Sequence, residues 1–164
     1  MAGAALGIEA PAGEPVMRFR RWFAAPPEAV FAAWTTPEQL KHWWGPARNT
    51  LDECEVNLRA GGRHRYVSSN DDGTEFRFHG EFLEVKPARR LVSTWAFEGE
   101  PGVTTVDTLE FEASDGGTLV SGESRVESVE MRDRRLADER MLDGMRETWE
   151  RLDAFLARGT PSGG

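Results

Sequence analysis

The chain has one cysteine, Cys54, among 164 residues, which excludes an intramolecular disulfide framework and a thiolate zinc cluster within it. Basic residues are scarce as well. Lys and Arg number 20 against 28 Asp and Glu, and a net charge of −8 argues against nucleic acid as a partner. No apolar run approaches the roughly 18 residues that a membrane span requires. The three histidines, His42, His64 and His79, lack any local metal-ligand spacing, so neither a metal nor another cofactor is expected. Gly (17) and Pro (9) are too few for a collagen-like or low-complexity chain. The first residues, Met1 to Gly13, have no basic stretch and include Glu9, so a secretory signal is not expected and the expected location is cytoplasmic.

What is present suits one domain with a real core and room for a cavity inside it. Residues 1–15 are Ala/Gly-rich without periodicity and are expected to form a disordered leader. Residues 16–158 read as a single domain, and 159–164 as a flexible tail. Met17, Phe19, Trp22 and Phe23 suggest a first strand. Pro26-Pro27-Glu28 opens a short helix with Val30, Phe31 and Trp34 on one face. Thr36-Pro37-Glu38-Gln39 has the form of a capping box and starts a second short helix that ends by Gly45-Pro46.

Six strand-like segments follow, at about 51–59, 63–69, 74–86, 89–97, 103–112 and 118–127, separated by short turn signals that favour antiparallel hairpins. A long helix over about 132–157 closes the chain, its stripe formed by Leu142, Met145, Trp149, Leu152 and Leu156. Arg146/Glu150 and Glu147/Arg151 are spaced to pair across its far side. The expected class is α+β, a curved antiparallel sheet with this helix covering its apolar face. Gly144, inside the helix, implies a close backbone approach or an open space.

Matching apolar parities across the turns sets a register. Leu91 then faces Leu109, Ser93 faces Asp107, Phe78 faces Phe97, Gly80 faces Trp95, Tyr66 faces Phe78, His64 faces Gly80, Phe111 faces Val120 and Asp107 faces Ser124. The helix-facing side thereby collects Tyr66, Phe76, Phe78, Phe82, Trp95, Phe97, Leu109 and Phe111 around His64, Ser93, Asp107 and Ser124. An aspartate in this company is either a polar anchor in a ligand cavity or one satisfied by Ser93 and Ser124. Gly80 and Gly144 withhold bulk there. Trp34, Trp43 and Trp44 either line the mouth of such a cavity or close the core beneath the short helices.

Several stretches together resemble a known family. The run from Phe23-Ala24-Ala25-Pro26-Pro27-Glu28 to Thr35-Thr36-Pro37-Glu38 resembles the opening of the Hsp90-ATPase-activator-like domains of the START/Bet v 1-like superfamily. Trp43-Trp44-Gly45-Pro46 is similar to the family's aromatic Gly-Pro motif, and Asn57-Leu58-Arg59-Ala60-Gly61-Gly62-Arg63 to its Asp-Leu-Arg-x-Gly-Gly signature, with Asn57 for the usual Asp. Gly80–Pro87 and Arg90–Trp95 continue the likeness, and Gly144-Met145 stands where Gly-Trp is usual. The resemblance implies a helix-grip fold: seven antiparallel strands, two short helices after the first strand, and a cavity for hydrophobic ligands under the C-terminal helix. It also raises an Hsp90-type chaperone as a partner. The eukaryotic activator carries an additional N-terminal domain, so Hsp90 stimulation is not expected of this chain.

Chemistry is sparse. Cys54, between Glu53 and Glu55, reads as a buried structural thiol. Gly61-Gly62-Arg63 lacks the Lys-Ser/Thr of a phosphate loop and reads as a turn, and Arg132, Arg134 and Arg135 read as a solvated face. His64 with Asp107 would suit acid–base work if they met. The leading expectation is a binding or carrier domain for a small hydrophobic or aromatic molecule, monomeric or homodimeric and linked to stress responses. The expected contacts are His64, Tyr66, Phe78, Ser93, Trp95, Asp107, Leu109, Ser124, Met145 and Trp149. A cofactor-independent cyclase, dehydratase or hydrolase is the alternative, and a co-chaperone module a third.

Overall fold

Strand by strand, alternating side chains leave one wall of rings and aliphatics. In Val16–Phe23 the side chains of Phe19 and Phe23 go inward while Arg18 and Arg20 face water. A computed structural model describes residues 5–158 of the chain. Its strands are β1 (Gly7–Glu9), β2 (Val16–Phe23), β3 (Thr50–Val56), β4 (Arg63–Ser69), β5 (Glu75–Lys86), β6 (Arg90–Phe97), β7 (Thr104–Ser114) and β8 (Gly117–Arg125). They form one antiparallel sheet in the order β1-β2-β8-β7-β6-β5-β4-β3. Helices α1 (Pro27–Thr35) and α2 (Pro37–Trp43) carry the chain from β2 to the far edge at β3. Helices α3 (Val129–Leu136) and α4 (Glu139–Ala157) follow the sheet.

The register agrees with the parity reading. Leu91 pairs with Leu109, Ser93 with Asp107, Tyr66 with Phe78, His64 with Gly80, Phe78 with Phe97, Phe111 with Val120 and Asp107 with Ser124. Turn chemistry fixes it. Asp115 and Gly116 form the two-residue loop between Ser114 and Gly117, both with positive φ, as a type I′ turn needs. At the Gly-Gly signature, Gly61 has φ of 85°, and a side chain on Gly62 would strike the Asn57 carbonyl. The Gly61 N–H donates to the Phe82 carbonyl and the Phe82 N–H to the Gly62 carbonyl, tying this turn to β5.

Five expectations are corrected. The sheet has eight strands, because the leader expected to be disordered pairs Gly7, Ile8 and Glu9 with Arg20, Phe19 and Arg18; residues 1–4 of the leader and the tail 159–164 lie outside the described residues. The single terminal helix is two, since Asp138 accepts from the Arg140 and Met141 N–H groups and starts α4 afresh. Thr36 occupies the N-cap of α2 without a side-chain hydrogen bond, so the capping box does not form. Arg132 is buried instead of solvated, donating to the Pro11 and Glu14 carbonyls and to Asp133. The charges of α4 do not pair with one another as spaced: Arg146 meets Asp143, Glu147 accepts from the Ala47 N–H, and Arg151 donates to the Gly45 and His42 carbonyls.

Trp149, Leu152, Phe155 and Leu156 of α4 enter a core shared with Phe23, Val30, Phe31 and Leu40. The backbone of α4 approaches α1, α2 and α3 more closely than it approaches any strand. Space therefore opens between the sheet and the stretch of α4 that carries Met145 and Trp149.

Candidate functional site

That space is a cavity of about 240 Å³ under Met145 and Trp149 of α4, walled by the sheet and by Trp34 and Trp44. His64, Tyr66, Ser93, Trp95, Asp107, Leu109 and Ser124 line it from β4, β6, β7 and β8. A second lobe of about 240 Å³ adjoins it, reaching Phe78, Phe97, Arg135 and Met141. Phe19, Trp44, Trp95, Asp107, Ser124 and Met145 belong to both lobes, so these residues form the partition. All ten residues named from the sequence thus lie on cavity walls, nine in the first lobe and Phe78 in the second. Parity also sends Phe82 to this face and pairs Leu91 with Leu109, and both line the first lobe; Phe19 and Gly122, and Thr105 and Met141 of the second lobe, are not singled out by it.

The walls are aromatic and mutually packed. The Trp44 ring lies 4.8 Å from Tyr66, 5.3 Å from Phe78 and 6.2 Å from Trp95, the last nearly parallel at 12°. Trp34 meets Trp149 edge to face at 5.2 Å. The third tryptophan of the group does something else: Trp43 is buried in the core and donates its indole N–H to the Ala33 carbonyl.

Asp107 is the polar end. Ser124 Oγ donates to its Oδ1 at 2.9 Å and Thr105 Oγ1 to the same oxygen at 3.2 Å. Ser93, expected to share this task, instead accepts from the Trp95 indole N–H at 3.1 Å. Burial pushes the Asp107 carboxyl up to about 6, against the pull of the two hydroxyl donors and of the nearby Arg135 charge. Among the described residues no cation is ion-paired with it; Arg135 is paired with Glu100 at 3.4 Å.

His64 is buried, its ring 4.3 Å from that of Trp95. Its Nε2 lies 2.9 Å from the Thr94 carbonyl, which fixes the proton on that nitrogen, while Nδ1 has no partner among the described residues. Burial holds its pKa below the ordinary value, the Thr94 contact opposing. Gly80 makes room for this ring: a side chain there would strike the Thr94 carbonyl and His64 itself, so its smallness serves His64 more than Trp95. Gly144 faces Pro46, not the cavity. No hydrogen bond joins His64 to Asp107, each being held by other partners.

Elsewhere chemistry is muted. Cys54 is half-buried, and burial, above all, pushes its thiol up to about 11, so it is no nucleophile near neutral pH. His79 points outward to Glu98 at 3.1 Å. Among the described residues there is no group of three His, Cys, Asp or Glu side chains placed to hold a metal, and no helix long and apolar enough to cross a membrane.

Comparison with known proteins adds context to this geometry. The family model described as Activator of Hsp90 ATPase homolog 1-like protein matches residues 24–157. A Rhodobacter sphaeroides protein of solved structure is 29% identical with a TM-score of 0.85, over 93% of this chain and 99% of its own. A Nitrosomonas europaea protein is 25% identical with a TM-score of 0.80, over 93% and 100%. The AHSA1 protein of Silicibacter pomeroyi is 25% identical with a TM-score of 0.72, over 88% and 99%. No curated protein matches the chain.

Proposed function

From the premise that the chain belongs to the Activator of Hsp90 ATPase homolog 1-like family, we propose that it is a binding or carrier domain for a small hydrophobic or aromatic molecule held between α4 and the sheet. One observation carries the reading: an aromatic cavity kept open under α4, with a carboxylate on the partition between its lobes. A core built for stability alone packs to near-crystalline density and leaves few voids larger than water. A ligand site needs the opposite, a mostly apolar hollow with one or two polar groups to orient the guest. The ten wall residues His64, Tyr66, Phe78, Ser93, Trp95, Asp107, Leu109, Ser124, Met145 and Trp149 are the proposed contacts.

The cyclase, dehydratase or hydrolase alternative asks for a relay of acid and base. His64 spends its N–H on Thr94, and Asp107 spends an oxygen on Ser124 and Thr105, so both groups serve the walls. Native mass spectrometry of freshly purified protein tests the carrier reading. Extra mass that is released on denaturation as a small apolar molecule supports it. Protein that is bare and that also fails to bind naphthalene derivatives in ligand-observed NMR overturns it.

A further inference from the structure

Asp107 is an unusual group to set in an aromatic chamber. Both hydrogen bonds it accepts go to Oδ1, leaving Oδ2 with no hydrogen bond among the described residues. The charged groups around it are few. On the α3 side Arg135 is engaged by Glu100; on β8, Glu123 pairs with Arg18; on β4, burial holds the His64 pKa below its ordinary value. Helix α4 and strand β2 contribute Met141, Met145, Trp149, Met17 and Phe19, none of them charged. A carboxylate in such a place lacks a partner of opposite charge, and the faces of Trp44 and Trp95 beside it attract cations too.

Resting on the carrier reading above, we propose that the ligand bears a protonated amine seated against Asp107, with its apolar or aromatic body extending into the lobes on either side. A neutral guest would take water from the carboxylate and return no charge, and an anion would be repelled. The partition sits between two lobes, which suits a molecule whose nitrogen lies within an elongated body as well as one that fills a single lobe. Because Asp107 titrates near 6, acidification neutralises the seat, and amine binding weakens as pH falls through that value.

The test uses the full chain and two probes of nearly equal shape, 2-naphthylmethylamine and 2-naphthylmethanol, titrated by calorimetry at about pH 7.5 and about pH 5. The amine is expected to bind at least roughly ten-fold more tightly than the alcohol at the higher pH, and to lose roughly ten-fold at the lower. The alcohol is expected to bind at least as well at the lower pH as at the higher. In Asp107→Asn the amine advantage over the alcohol disappears. An amine that binds no better than the alcohol overturns the amine inference and leaves the carrier reading standing. Failure of both probes to bind overturns the amine inference, and overturns the carrier reading as well where native mass spectrometry finds the protein bare. If Asp107→Asn does not fold, the pH profiles of the unmodified chain decide the matter alone.

Discussion

Trp95 shows how a side chain on a hollow differs from one in a closed core. Its ring lies on the partition, its N–H is held by Ser93, and it remains partly exposed to the cavity. Trp95→Ala is therefore expected to cost less than the roughly 3–5 kcal/mol of a closed-core aromatic, about 1–2 kcal/mol, and to weaken probe binding by roughly ten-fold. Urea unfolding together with calorimetric titration separates the two; a large stability loss with unchanged binding would contradict the assignment. Individual wall residues are legible in the sequence where a strand carries them, because parity alone sends Ser93, Asp107, Ser124 and Tyr66 to one face. Thr105 follows the same parity, two residues from Asp107, and the rule reaches it if applied one step further. Trp44 is different: it caps the end of α2 at the start of a loop, where no periodicity says which way a ring turns. The choice of Oδ1 over Oδ2, or of Trp95 as the partner of Ser93, depends on side-chain rotamers that no pattern encodes.

At the scale of elements, α4 acts as a strut that grips the loop after α2. Glu147 takes the Ala47 N–H at 2.8 Å, and Arg151 reaches the Gly45 and His42 carbonyls, so the stretch that positions Trp44 hangs from the helix. Arg151→Ala is expected to cost about 1 kcal/mol and to speed probe dissociation several-fold, read by stopped-flow fluorescence of the tryptophans; unchanged exchange would mean that Trp44 is not held from α4. Within the same helix Gly144 has room for a methyl group, its nearest neighbour being Pro46 at 3.9 Å. Gly144→Ala should therefore stabilise by about 0.5–1 kcal/mol in thermal unfolding, and a loss would reveal crowding at Pro46. Hairpins are the most legible elements because Asp-Gly and Gly-Gly turns both end one strand and aim the next. Strand β1 is too short to show alternation, and the break between α3 and α4 contains neither Gly nor Pro, its sole mark being Asp138 as a cap.

For the molecule as a whole, the buried His64 and the half-buried Asp107 oppose each other in acid. The pKa of Asp107 rises from 3.8 to about 6 on folding, so its charge destabilises the native state above about 6 and that cost is relieved as pH falls towards 4. His64 is shifted below 6.5, so the unfolded chain takes its proton more readily and stability is lost as pH falls below that value. Asp107→Asn removes the first effect. It should raise stability at about pH 7 by on the order of 2 kcal/mol, and expose a steady decline below about pH 6 that the unmodified chain partly masks; equal pH profiles for both proteins would contradict this. The topology sets a further condition, on time. Strand β2 lies early in the chain, yet its inner neighbour is β8, joined through Phe23–Thr118 and Val16–Arg125 pairs. The hairpins from β3 to β8 can zip in succession as they leave the ribosome, each closing a short loop. Strand β2 must wait, with Phe19 and Phe23 bare, until residue 125 has emerged. An arrested nascent chain that stops short of β8 should therefore be cut readily by protease within 16–23, and one long enough to free β8 should resist.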